Sequence, residues 1–131
     1  MNEKNINEVV SSLSKQWAEA FARQDAEAIA ALYSSEAIFY GSTPERRQGP
    51  QEIAAYFAAF PPTTGLMVEF SNALASPISS DVINMACLAD FSADKMPAQR
   101  VRLTWTLVKE NQDWKVSMHH ASPTDYRPPD Q

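Results

Sequence analysis

Two adjacent histidines near the end of the chain, His119 and His120, are the residues of this sequence best suited to chemistry. An imidazole exchanges a proton near neutral pH, so at the lip of a pocket it can act as a general base or bind a ligand. The segment that carries the pair, Asp113 to Ser122, alternates as a strand does, and alternate side chains of a strand point to opposite faces. Trp114, Val116, Met118, His120 and Ser122 then share an apolar face, with Lys115, Ser117 and His119 on the other. The alternation predicts His120 at the edge of a core or pocket, as a catalytic or ligand group or as a core-edge histidine with satisfied ring nitrogens. His119 is expected to point away.

Other chemistries find less support. Neighbouring residues on a strand diverge, so the two histidines cannot hold one ion together. No cysteine pair, His-Glu-x-x-His pattern or acidic loop is present, and no metal is expected. There are three glycines and no glycine-rich phosphate loop, so no cofactor is expected either. The single cysteine, Cys87, lies in an apolar run without a cationic neighbour. It reads as a small buried hydrophobe, not as an activated thiolate.

The elements that must position these groups follow from periodicity. Ile6, Val9, Val10, Leu13, Trp17, Ala20 and Phe21 recur at helical spacing, which predicts an amphipathic helix over roughly 5–23. Asp25 is a good cap for a short second helix whose buried stripe is Ile29, Leu32 and Tyr33. Ala37 to Tyr40 reads as a short strand, ended by Gly41-Ser42-Thr43-Pro44. Glu45-Arg46-Arg47 reads as a solvated loop. Gly49-Pro50-Gln51-Glu52 starts a third helix, with Ile53, Tyr56, Phe57 and Phe60 on its apolar face and Pro61-Pro62 as its stop.

The period then changes. Leu66 to Leu74 alternates, Val82 to Phe91 is nearly continuously apolar, and Arg100 to Lys109 alternates again. The connectors, Ser76-Pro77, Ser92 to Pro97 and Glu110 to Asp113, are short and polar. This predicts a four-strand antiparallel meander behind three helices, an α+β domain with the helices on one face of a curved sheet.

At 131 residues the chain is expected to be one domain with its core over about 5–123. Residues 124–131 form a proline-containing tail. A composition of 44% hydrophobic and 21% charged residues is that of a soluble protein, and a net charge of −5 without a basic run argues against nucleic acid. The polar start and the absence of a long apolar run argue against a leader and against a membrane. With one cysteine, a reducing, cytoplasmic location is expected.

The order of these elements, with several short motifs, resembles the nuclear transport factor 2-like superfamily of cone-shaped α+β barrels. The motifs are Trp17-Ala18-Glu19-Ala20-Phe21 with Asp25 and Leu32-Tyr33, Phe39-Tyr40-Gly41, and Gly49 with Ile53 and Tyr56-Phe57. After them come Arg102-Leu103-Thr104-Trp105 and Trp114-Lys115-Val116 leading to His119-His120-Ala121-Ser122. Within the superfamily the chain is most similar to small bacterial SnoaL-like proteins and to the association domain of calcium/calmodulin-dependent kinase II.

The resemblance implies a pocket between the concave sheet and the first helix. Mapped onto this sequence, its wall would be Trp17, Phe21, Tyr40, Tyr56, Phe60, Met85, Leu103, Trp105, Met118 and His120. It also implies a homodimer through the outer sheet face, including Arg100, Arg102, Thr104 and Thr106. Isomerases and cyclases of the superfamily use a carboxylate near the end of the first strand, where Phe39-Tyr40-Gly41-Ser42 offers none. The association domain's pocket arginine falls on Trp105. The expectation is therefore a binder of a small, largely apolar ligand. The alternatives are an isomerase, cyclase or lyase using His120 as base with Tyr40 or Tyr56 as donor, and a pure assembly module.

Overall fold

A computed structural model describes residues 2–125 and 129. Helix α1 (Glu3–Ala22) starts where the Asn5 N–H donates to the Asn2 side chain at 2.9 Å. It buries Ile6, Val10, Leu13, Trp17, Ala20 and Phe21 along one stripe, the spacing its sequence predicts. Gln24 takes a left-handed φ of 53° and turns the chain into α2 (Ala26–Ala30), which Asp25 caps by accepting the Ala28 N–H at 3.0 Å. This helix is shorter than expected. Tyr33 belongs not to it but to the start of strand β1 (Tyr33–Tyr40).

Strand β2 (Arg46–Gln48) occupies the segment expected to be a loop, and pairs antiparallel with β1 through Phe39 and Arg47. Three residues are too few to show a period, so the sequence carried no signal for it. Gly49 then adopts φ 83°, which turns the chain into the Pro50-led helix α3 (Gly49–Ala58). The Gln48 N–H donates to Glu52 at the same junction, at 2.8 Å.

The rest is the meander β3 (Met67–Ser79), β4 (Val82–Ala93), β5 (Met96–Glu110) and β6 (Asp113–Pro123). Each strand is antiparallel to the next, as expected. The strands outrun the predicted connectors. Pro77 lies within β3, where an edge strand tolerates the missing N–H. Pro123 closes β6 opposite Val101. Asn111 and Gln112, both left-handed, make the tight β5–β6 turn.

Among the described residues six strands form one sheet in the order β2-β1-β6-β5-β4-β3. β1 lies parallel to β6, so the sheet is mixed. The helices cover its concave face and enclose a core that includes Phe39, Ile53, Ile83, Trp105, Leu107 and Val116. Each such side chain contributes about 1.5–3 kcal/mol by leaving water. Arg100, Arg102 and Thr104 are exposed on the convex face, and Arg100 pairs with Asp90 at 2.8 Å. Among the described residues no helix is long and apolar enough to cross a membrane. Of the expected tail, Tyr126, Arg127, Pro128, Asp130 and Gln131 lie outside the described residues.

Candidate functional site

A cavity of about 380 Å³ lies between α1, α3 and the concave sheet. Its wall is mostly aromatic. Trp17 and Phe21 come from α1, Tyr56 and Phe57 from α3, and Phe39, Phe70 and Phe91 from the strands, with Phe60 just past α3. Trp17 stacks on Phe21 at 5.1 Å between ring centres and meets Phe57, Phe70 and Phe91 edge-on at 5.7–6.2 Å. Offset and edge-on pairs of this kind fix ring orientation as well as burying area. Val101, Leu103 and Ala121 complete the apolar part, and Gln99, Ser42, Ser122 and His119 supply polar atoms.

His119 reaches this wall because β6 carries an extra residue. Thr106 pairs with Met118, but the next residue of β5, Leu107, pairs with Val116. Ser117 is left unopposed in a β-bulge, and from there on the alternation is inverted. Val116 and His119 therefore both face inward, and His119 is 5% exposed. His120 faces outward.

The hydrogen bonds of His119 have one possible direction. An indole N–H can only donate. Trp105 Nε1 therefore donates to His119 Nδ1, at 3.0 Å. Trp17 Nε1 donates to the Tyr33 hydroxyl, also at 3.0 Å, which leaves the phenolic hydrogen free to donate to the same Nδ1 at 2.8 Å. Two donors thus converge on one lone pair. Burial, aided by the neighbouring His120, pushes His119 down to about 3, so the ring is neutral at physiological pH. Burial also raises the Tyr33 phenol far above its ordinary value, which keeps it a donor.

A neutral ring whose Nδ1 accepts carries its proton on Nε2. Among the described residues nothing partners that atom. It is also not one of the buried side-chain atoms lacking a partner, which are Thr43 Oγ1 and Arg47 Nε. Nε2–H therefore opens on the cavity. The ring is braced by Phe39, 4.3 Å away between centres.

A second polar group sits at the junction of β1 and α3. The Ser42 N–H donates to the Tyr56 hydroxyl at 2.8 Å, and the two hydroxyls lie 2.7 Å apart. The Arg47 guanidinium lies over the same ring. No Asp, Glu, Lys or Arg is part of the cavity wall among the described residues, and no cluster of three metal-ligating side chains occurs among them.

A model of the SnoaL-like domain matches residues 10–126. The chain belongs to the SnoaL-like family. No functionally curated protein matches it in sequence. In structure it is similar to a proposed calcium/calmodulin dependent protein kinase II association domain from Xanthomonas campestris. The TM-score is 0.81 at 20% identity, over 90% of this chain and 87% of that one. A nuclear transport factor 2-like protein with a cystatin-like fold from Novosphingobium aromaticivorans gives 0.80 at 14%, over 94% and 84%. A proposed aromatic ring hydroxylase from the same organism gives 0.80 at 14%, over 96% and 94%. At these identities the likeness establishes the fold, a SnoaL-like α+β cone.

Within this SnoaL-like cone, Trp17, Phe21, Tyr56, Phe60 and Leu103 stand on the cavity wall. Five other residues expected there do not. His120 and Met118, the latter 38% exposed, lie on the convex face because the Ser117 bulge inverts the strand. Tyr40 follows them, its ring 5.5 Å from that of His120. The pairing of His120 with Tyr40 as base and donor therefore exists in space, but outside the cone. Met85 and Trp105 are buried in the core behind the wall, and Trp105 reaches the cavity through His119 and the Phe70 ring. Phe39, Phe57, Phe70, Phe91 and His119 are among the wall residues that the sequence reading left out. For Phe57, Phe70 and Phe91 the signal was present, since each lies in an element predicted to be amphipathic or central.

Proposed function

We propose that this SnoaL-like protein binds one small, uncharged, largely aromatic molecule inside the cone. The observation that carries this reading is the wall itself, a ring of aromatic side chains without a formal charge among the described lining residues. A volume of about 380 Å³ lies in the range of small-molecule sites. A carboxylate or ammonium entering such a wall would lose its hydration without gaining a counter-charge. General-base chemistry finds little support here, because the one imidazole in the wall has its lone pair occupied. The similarity to a proposed aromatic ring hydroxylase is consistent with an aromatic occupant.

Native mass spectrometry of the gently purified protein tests the reading, together with quenching of tryptophan fluorescence by added aromatics, since Trp17 lines the cavity. Expected is a small neutral adduct, or saturable quenching by uncharged bicyclic aromatics. Neither adduct nor quenching, or binding of charged ligands alone, would reject it.

We also propose that the convex face meets a second copy of the chain. Support comes from a shallow groove there, bordered by Arg102, Thr104 and His120, with exposed Met118 nearby. Sedimentation should give a dimer that Met118→Glu converts to monomer. A wild-type monomer at high concentration would count against it.

A further inference from the structure

We infer that the cone's ligand presents an uncharged oxygen acceptor, of the aryl ketone, aldehyde or quinone type, to His119 Nε2–H, and that Trp105 is the positioning residue that fixes this tautomer. The inference rests on the reading above, that the cone binds a small aromatic, and names the polar feature such a ligand carries.

The two indoles, Trp105 and Trp17, can only donate, and together they leave His119 Nδ1 as an acceptor and Nε2 as the donor. The cavity therefore meets its occupant with a fixed N–H in a largely aromatic wall. An N–H in so dry a place costs free energy whenever it goes unmatched, and an oxygen lone pair matches it. A ligand that offers only donors finds none of the imidazole's acceptor capacity, because Tyr33 and Trp105 already use it. The polar atoms of Tyr56 and Ser42 are engaged with each other. Of the other polar wall residues Gln99 is exposed and Ser122 only half-buried, so recognition of the ligand's polar end inside the cone falls to the buried His119.

Trp105 and Tyr33 differ in what they enforce. A hydroxyl can donate or accept, so Tyr33 would accommodate a proton on Nδ1 by reversing its bond. The Trp105 indole cannot reverse. Removing it frees the tautomer, whereas removing the Tyr33 hydroxyl does not.

The test uses four probes of one shape: 2-acetylnaphthalene, the hydrocarbon 2-isopropylnaphthalene, 2-naphthoate and 2-naphthylmethylammonium. Affinities come from titration calorimetry, and the tautomer from 15N NMR of the His119 ring. Expected in the wild type are an ε-protonated His119 and a ketone bound about tenfold tighter than the hydrocarbon, the ratio one well-made hydrogen bond supplies. The naphthoate and the ammonium should bind most weakly. In Trp105→Phe the ring signals should move toward a tautomer mixture and the ketone's advantage should shrink to about threefold or less. In Tyr33→Phe both should persist.

Equal binding of ketone and hydrocarbon, or a wild-type proton on Nδ1, overturns the inference while leaving an apolar cone intact. Failure of all four probes to bind takes down the cone reading with it. An unchanged tautomer and preference in Trp105→Phe would reject Trp105's role. Should that variant not fold, the wild-type tautomer and the four affinities still decide the acceptor claim.

Discussion

The Arg47 guanidinium carbon lies 5.2 Å from the centre of the Tyr56 ring, so that β2 clamps α3 through a cation on an aromatic face. The far end of that ring receives the Ser42 N–H. Tyr56 therefore holds the β1 end and the β2 strand to one helix, with its body on the cavity wall. Tyr56→Phe keeps the ring and loses the hydroxyl, leaving a partly buried N–H unmatched. It is expected to lower stability by about 1–2 kcal/mol in urea unfolding. Arg47→Met should lower it by less than about 1 kcal/mol, as a part-exposed cation over a ring does.

Gly41 owes its identity to the same ring. A Cβ there would stand 2.5 Å from the Tyr56 hydroxyl oxygen and 2.8 Å from the Phe39 ring. Neither can retreat without disturbing the wall. Gly41→Ala is expected to destabilise by about 1–3 kcal/mol, the usual range for overpacking. It should also weaken whatever aromatic probe the wild type binds, in the same titration.

The buried imidazole makes stability depend on pH in a defined direction. His119 is pushed down to about 3 in the folded chain, against 6.5 when free. Between these values the unfolded chain takes up a proton that the folded chain refuses, so stability falls as pH drops from about 6.5 toward 3. The full effect, reached near the lower end, is on the order of 4–5 kcal/mol. Above pH 7 neither state is protonated there and the contribution is level. Carboxylates also respond to acid, so the informative comparison is with His119→Gln. Urea midpoints at several pH values between 7 and 4 should fall more steeply for the wild type. Parallel curves would mean that His119 is not buried and neutral.

Cys87 should be chemically quiet. It is buried in β4, and burial pushes its thiol up to about 11, which leaves little thiolate at pH 8. A disulfide-exchange reagent is expected to label the native protein slowly, at a rate tracking local opening, and the urea-unfolded protein at once. Rapid labelling of the folded chain would contradict this placement.

Much of the fold was legible in the sequence. The stripe from Ile6 to Phe21 and the apolar run from Val82 to Phe91 each declare their element, because burial along one face, of the helix and of β4 alike, leaves a long record in the sequence. The site was legible only in part. Trp17, Phe21 and Tyr56 sit where helix periodicity sends them, and a helix keeps its phase over its whole length. A strand does not keep phase through an inserted residue. The exchange of His119 for His120 at the wall follows from Ser117 alone, and nothing in the type of Ser117 announces a bulge. Arg46 to Gln48 escaped for another reason, since so short a strand is defined by its partner, Ile38 to Tyr40, and not by its own pattern.

The Ser117 insertion also accounts for the hollow. In straight alternation the residues following Val116 on the inner side would be Met118 and His120; with the insertion they are His119 and Ala121. An imidazole is presented in either case, since the histidine is doubled. The difference is that a methionine leaves the chamber and an alanine enters it. The space for a guest is thus created by counting along the backbone, not by an inventory of small residues. Deleting Ser117 would leave Val116 and Met118 as direct neighbours in the register they already hold, so His119 and Ala121 would stay inside; only Ser117 paired in regular alternation would stopper the chamber with Met118.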